Sequence, residues 1–340
     1  MIGDEKPRPR LVDVAQVAGV SVSTASRALG RGSELIGAQT RDHVRKVARK
    51  LGYRVNPVAR SLRLAQTKQI GMLVPSISNP FYTDLIVQVE HHLSQRGLSL
   101  LISDAEMSVT TEDLKLRSFE GGSVDGLIIV PCHESFSTPS LERTAALVPT
   151  VQLDRAVSLP HIPFVGVDDA HGVREVLGHL KERGARRIAM LSNTGSDLSS
   201  VKRVTEARRV APDFGMELAD SDVLECNHSV KSARSAVSTL INGGNHWDAI
   251  VCLNDLLAIG AITELRHRGF GIPKDIMVTG FDDIQFAELM RPSVTTLRQP
   301  LPEIARQGVE LLLDESDSEF PKRTLVKGEL VIRQSTIPEF

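Results

Sequence analysis

The sequence predicts a small all-α helix-turn-helix headpiece followed by a two-lobed α/β core built from parallel sheets. Three observations predict it. Near the N-terminus, two short helical patterns flank a glycine-containing turn. Beyond residue 66, apolar strands alternate with amphipathic helices in two successive series. The charge divides between these parts: residues 1–65 hold 13 Lys or Arg against 5 Asp or Glu, and the remainder hold 27 against 37. A basic head suits a polyanion, and an acidic body is repelled by one.

Composition narrows the class further. The chain has 340 residues, is 41% hydrophobic and 24% charged, and carries a net charge of −2, which suits two or three ordinary globular units. No run of 18 apolar residues is present, so no membrane partner is expected. The N-terminal MIGDEKPRPRLVDVAQ lacks the apolar stretch of a secretory signal, so the expected location is cytoplasmic, on the nucleoid. Cys132, Cys226 and Cys252 lie far apart without a paired spacing. They read as buried small hydrophobes, with no disulfide, metal or cofactor implied.

The first helical pattern is Leu11–Ala18, stopped at Gly19. Ser21 is placed to cap the second, Val22–Leu29, which ends at Gly30. A third runs from a cap at Thr40 with Val44, Val47, Ala48 and Leu51 inward, ends at Gly52, and lets Tyr53 close over the small core. In a helix-turn-helix the second helix enters the major groove by its N-terminal residues. Val22, Ser23 and Arg27 are the candidates for base edges, by a thymine methyl contact, a hydroxyl hydrogen bond and a guanine contact respectively. Ser21, Thr24 and Ser26 suit phosphate contacts, which position the helix without specifying sequence. The bland alternative is a small helical bundle that binds protein. Asn56–Leu64 then reads as a short helix with Pro57 at its start, too short to be stable alone and suited to ordering on DNA. Ala59 and Leu62 share one face, as a minor-groove wedge formed with a symmetry mate requires.

The core series opens with Ile70–Val74, a helix from Pro80 to about Arg96, the strand Leu98–Ile102, a helix to about Glu120 and the strand Asp125–Val130. The second series carries Arg187–Leu191, Trp247–Leu253 and Ile276–Phe281. Continuous apolar strands separated by helices indicate parallel sheets covered on both faces, with ligands beyond the carboxyl ends of the strands. Those ends hold Ser76–Tyr82, Ser103-Asp104, Asp154-Arg155, Asn254-Asp255 and Asp282-Asp283. Amides and carboxylates beside an aromatic pair suit a polyhydroxylated or purine-like ligand. Taken singly, each Asp or Asn is better read as a cap for the following helix. Taken as a set, they point to a cleft.

The runs Asp13-Val14-Ala15, Ala18-Gly19-Val20-Ser21, Arg27-Ala28-Leu29, Leu51-Gly52-Tyr53 and Asn56-Pro57 resemble the headpiece and hinge of the lactose-repressor family of bacterial transcriptional regulators. Ser78–Tyr82, Asn254–Ala261, Gly280–Asp283 and Thr295–Pro300 extend the resemblance over nearly the whole chain. It implies a periplasmic-binding-protein-like core, a homodimer on a pseudo-palindromic double-stranded operator, and a small, sugar-like effector between the lobes. By the same resemblance Leu62 is the intercalating residue of the hinge helix, and Phe81, Asp154, Asn254 and Asp282 map to effector positions. Leu11 and Asn56 join the DNA-facing set, and Asp104 the effector set. Asp255 is expected to cap its helix or line the rim.

Three departures stand out. Arg10 replaces the usual Thr or Ser cap of the first helix, and Gly30 a common Asn. The Arg-x-x-Gly-Phe that grips the effector is replaced by Lys202-Arg203-Val204-Thr205-Glu206, with Arg203 the nearest candidate. The expected boundaries are residues 1–55 for the headpiece, 56–68 for the hinge, 69–166 with 297–323 for the first lobe, and 167–296 with 324–340 for the second. No P-loop, G-x-S-x-G or H-E-x-x-H is present, so the chain is not read as an enzyme.

Overall fold

The structure is a computed structural model that describes residues 9–30, 34–53, 66–193, 198–244, 246–314 and 323–337. The chain divides into two compact units, Met1–Thr67 and Lys68–Phe340.

The first unit packs three helices, α1 (Leu11–Val17), α2 (Val22–Leu29) and α3 (Ala38–Leu51), around Val14, Ala15, Ala18, Ala25, Ala28, Val44, Val47 and Ala48. Alanine dominates this core because three short helices must approach closely. Gly19 takes φ +65° in the turn and Gly52 takes φ +69° at the end of α3, a conformation that costs glycine least. Tyr53 packs against the core edge. The third helix starts earlier than expected. Gly37, not Thr40, is its cap, and the Gly37 carbonyl accepts the Arg41 N–H at 3.0 Å, since glycine is acceptable at that position. Arg10 offers no hydroxyl, but its backbone N–H donates to the Asp13 carboxylate at 2.7 Å. That is the return half of a capping box, and it places a negative charge on the first turn. The hinge residues Asn56, Ala59 and Leu62 lie outside the described residues.

The second unit holds two six-stranded sheets. The first is ordered β11-β5-β4-β3-β1-β2, from Arg323–Val326, Phe164–Val167, Thr150–Leu153, Gly126–Ile129, Gln69–Val74 and Ser99–Asp104, all parallel. The second is ordered β12-β10-β9-β8-β6-β7, from Glu329–Val331, Thr295–Arg298, Met277–Asp282, Ala249–Cys252, Ile188–Ser192 and Val223–Glu225. Only its β12 runs antiparallel, against β10. The inner strands are buried along their length, as two helical layers require. The edge strand β2 leaves Leu101 and Ile102 exposed.

The core helices that matter below are α4 (Pro80–Ser94), α5 (Val109–Glu120), α6 (Thr138–Ala145), α7 (Asp169–Glu182), α8 (Leu198–Val210), α9 (Val230–Asn242), α10 (Asp255–His267), α11 (Gln285–Leu289) and α12 (Leu301–Leu313). The chain passes between sheets at β5–α7, β10–α12 and β11–β12. The lobe boundaries drawn from sequence are therefore shifted. Val167 pairs in the first sheet, Leu297 and Arg298 pair with Phe281 and Asp282 in the second, and Thr324–Val326 pair with β5. Strand hydrogen bonds carry through these positions before the chain turns over. Similarly, β2 runs two residues beyond the expected Ile102, so Asp104 is its last residue.

Candidate functional sites: a recognition helix and an inter-lobe cleft

The start of α2 is organised by one hydroxyl. Ser21 Oγ accepts the Thr24 N–H at 3.0 Å and lies 2.8 Å from both Ser23 Oγ and Thr24 Oγ1. This satisfies an orphan donor of the first turn. Ala25 and Ala28 face inward, while Val22, Ser23 and Arg27 are exposed and Ser26 is half-buried. Residues 22 and 26, and 23 and 27, are four apart, so these four side chains form one outward face. Thr24 flanks it. Leu11 is half-buried and packs against the headpiece core. The sequence reading passed over four exposed cations on the outer face of α3: Arg45, Lys46, Arg49 and Lys50. None has an ion pair among the described residues. They alternate with the inward Val44, Val47 and Ala48, so their exposure was readable from the period of the helix.

In the second unit, one buried guanidinium is held by a carboxylate and two backbone-positioned neighbours. Arg203, on α8, is 5% exposed. Its Nε donates to Asp169 Oδ1 at 2.7 Å, its Nη1 donates to the Leu253 carbonyl at 2.6 Å, and its guanidinium lies 3.5 Å from the Phe281 ring centroid. Burial works against its charge, yet Asp169, Asp282 and Asp154 together hold it above its ordinary value. Asp154 follows β4 in the first lobe, whereas Asp282 ends β9 in the second, so acids of both lobes act on this charge. Both residues have positive φ, +61° and +112°. Such backbone is tolerated where the surroundings fix it, and it concentrates at binding sites. Burial, and then the neighbouring Asp255, raise Asp282 well above the usual carboxylate range despite Arg203. Gln299 Nε2 donates to Asp282 Oδ1 at 2.8 Å. Arg155 Nε lies 3.8 Å from the Asp154 carboxylate, and its guanidinium sits 5.9 Å from the Tyr82 ring centroid.

The paired polar residues at the strand ends divide their work. Asn254 Oδ1 accepts the Leu257 N–H at 2.9 Å and so caps α10, while its amide donates to His228 Nδ1. Asp255 is neither the cap nor on the rim, because it is fully buried. Its carboxylate accepts from Thr296 Oγ1 at 2.6 Å and from the Ile284 N–H at 2.8 Å. Burial raises it to about 7. Asp283 is bound by Arg298 and Arg333, each at 2.7 Å. Asp168 caps α7 through the His171 N–H at 3.0 Å, leaving Asp169 to meet Arg203. The capping reading thus holds for Asn254 and Asp168, whereas Asp255, Asp282 and Asp283 cap no helix.

Of the expected effector residues, Asp154 and Asp282 act on Arg203 through their charge, and Asn254 follows the carbonyl that Arg203 binds. Asp104 is used locally, accepting from the Ile77 and Glu106 N–H groups at 3.3 and 2.8 Å. Phe81 is 3% exposed, with its ring 5.2 Å from that of Tyr82 in the apolar core. Sequence reasoning missed Asp169, His228, Phe281 and Gln299. Asp169 had a usable signal, since it follows the apolar Phe164–Val167, a strand not picked out from the sequence. The three cysteines are free and buried. Among the described residues, no group of three or more His, Cys, Asp or Glu is placed to hold a metal, and no helix is long and apolar enough to cross a membrane.

Comparison with known proteins agrees with this architecture. Residues 10–56 match the bacterial regulatory proteins of the lacI family, and residues 67–333 match the periplasmic binding proteins and sugar binding domain of that family. The transcriptional regulator DegA of Bacillus subtilis is 29% identical over 334 residues, covering 96% of this chain and 98% of DegA. A complex of the regulator CelR with cellobiose superposes with a TM-score of 0.73 at 28% identity, covering 96% of this chain and 100% of that one. A lac repressor dimer bound to operator and the anti-inducer ONPF gives 0.86 at 25% identity, covering 97% of this chain and 99% of that one. A capped recognition helix, a two-sheet core and family matches across both units lead to one conclusion: this chain belongs to the lacI family of bacterial transcriptional regulators.

Proposed function

We propose that this regulator represses transcription by occupying a pseudo-palindromic operator as a homodimer, and that a sugar-like effector in the cleft changes its grip. The Asp154–Arg203–Asp282 cluster carries this reading. Its acids lie at strand ends of two lobes linked by three chain crossings and both act on Arg203, so a ligand that bridges them changes how the lobes meet. Carboxylates and amides suit hydroxyl groups, and the similarity to a cellobiose-bound regulator supports a sugar. Val22, Ser23 and Arg27 supply the base-reading face of α2, and Ser21, Thr24 and Ser26 its phosphate contacts. Ala59 and Leu62 supply the hinge wedge, and Asn56 a contact at the start of that hinge. The work is binding rather than turnover, and it takes place in the cytoplasm, where the operator is.

The dimer rests on exposed apolar surface. Leu101 and Ile102 on the β2 edge, Val87 on α4 and Leu114 on α5 are 41 to 63% exposed, and Phe286 and Leu289 on α11 are 44 and 69% exposed. A two-fold partner covers both groups with one self-complementary surface. The test is binding of the purified chain to its own upstream intergenic DNA, with and without a panel of sugars. Retention on one site, released or strengthened by one sugar, supports the reading. Failure to bind any of that DNA at low salt, where the phosphate contribution is greatest, overturns it. Sedimentation of a Leu101→Asp, Ile102→Asp double variant as a monomer supports the proposed interface.

A further inference from the structure

We propose that the cleft admits neutral or amine-bearing polyols and excludes carboxylated and phosphorylated ones, because its buried guanidinium is already held by a carboxylate of this chain. The inference rests on the cleft being the effector site.

An anionic sugar needs a cation with donors to offer, and a forked guanidinium is the usual means. Here Arg203 is committed on three sides: Nε to Asp169, Nη1 to the Leu253 carbonyl, and one face to Phe281. Two buried carboxylates offset that single charge, Asp169 by a hydrogen bond and Asp154 through space, while burial pushes Asp282 toward its neutral form. A second cation, Arg155, is 11% exposed in its side chain and lies beside Asp154. A ligand carboxylate or phosphate entering here finds the charge of Arg203 offset by Asp169 and that of Arg155 by Asp154 in a poorly solvated place, and it reaches only the guanidinium N–H groups that Asp169 and the Leu253 carbonyl leave. A hydroxyl or ammonium group brings donors instead. Asp282 receives one hydrogen bond from the described residues, that of Gln299, and is the acceptor best placed to take another.

The test uses the full chain and matched sets built on glucose, galactose and cellobiose, each as parent sugar, amine, acid and phosphate, at one ionic strength. Thermal shift finds the binders and calorimetry ranks them. The parent or the amine of one set is expected to bind, with its acid and phosphate weaker by about tenfold or more. Asp169→Asn keeps an acceptor for Arg203 Nε but removes the competing charge, so that gap should narrow by about tenfold. If that variant fails to fold, Asp154→Asn removes a charge without touching the Arg203–Asp169 pair and should narrow the same gap. An acid or phosphate that binds the unaltered chain as tightly as its parent overturns the inference and leaves the cleft a sugar site. No shift from any member in any variant overturns the sugar reading itself, and the inference with it.

Discussion

At the scale of single residues, the acids at the strand ends differ in what holds them. Asp283 is bound by two arginines, Asp255 by a hydroxyl and a backbone N–H, and Asp282 by one amide. Burial lifts Asp255 to about 7, far above its value in the unfolded chain. A group raised in this way contributes stability that is complete in acid and lost as pH rises through about 7. Between pH 5 and 8, urea midpoints should fall with rising pH, and Asp255→Asn should flatten that slope. A slope unchanged in the variant would assign the pH dependence to another group. Asp282→Asn should weaken the effector by about tenfold to a hundredfold while operator binding persists, measured by calorimetry and by DNA retention. The sequence showed these acids at strand ends but not their division of labour. Asp169 meets Arg203 34 residues away, and no local pattern encodes such a pairing. Asp255 was expected at the cap or rim because Asp commonly caps helices, and only the packing of β9 and β10 shows that it is enclosed.

At the scale of elements, caps and close approaches decide what can be changed. Ser21→Ala removes the cap of α2 and should cost about 1 kcal/mol in that helix. Operator binding should weaken with effector binding unchanged, and a chain that keeps full operator affinity would show the cap to be dispensable. Two glycines within helices make a sharper pair. A methyl at Gly260 on α10 would lie 2.6 Å from both the Val230 carbonyl and the Ala233 Cβ on α9. Gly260→Ala should therefore lower stability by about 1–3 kcal/mol. At Gly178 on α7 a methyl meets nothing within 4 Å, so Gly178→Ala should stabilise by about 0.5–1 kcal/mol. Thermal melts of both variants check the opposite signs. Elements of this kind were legible where the signal is local. Val22–Leu29 is bounded as its cap and glycine predict, whereas α3 starts before Thr40 because a glycine cap carries no side-chain signature.

At the scale of the molecule, the charge split is matched by the four exposed cations of α3. They add a sequence-independent attraction for DNA. Replacing Arg45 and Arg49 by Gln should lower affinity for operator and random DNA alike and reduce the salt slope by up to about 2. A loss confined to the operator would place these residues in base reading instead. The two-lobed plan was readable from the alternation of strands and helices. The points of crossing were not, since a strand and the turn that leaves it share apolar residues, as Val167 and Leu297 do.

The three crossings also govern how the protein is made. The first sheet lacks β11, and the helix Leu301–Leu313 that packs on its strands β3, β4 and β5, until synthesis has passed residue 326. The second waits for β12 and for Ser335 and Thr336, which bond back to Val278 and Thr295. Neither lobe is therefore complete on the ribosome before its neighbour is almost finished. A chain released at Arg298 leaves both sheets uncovered at once, so late truncation should produce aggregation rather than a surviving half.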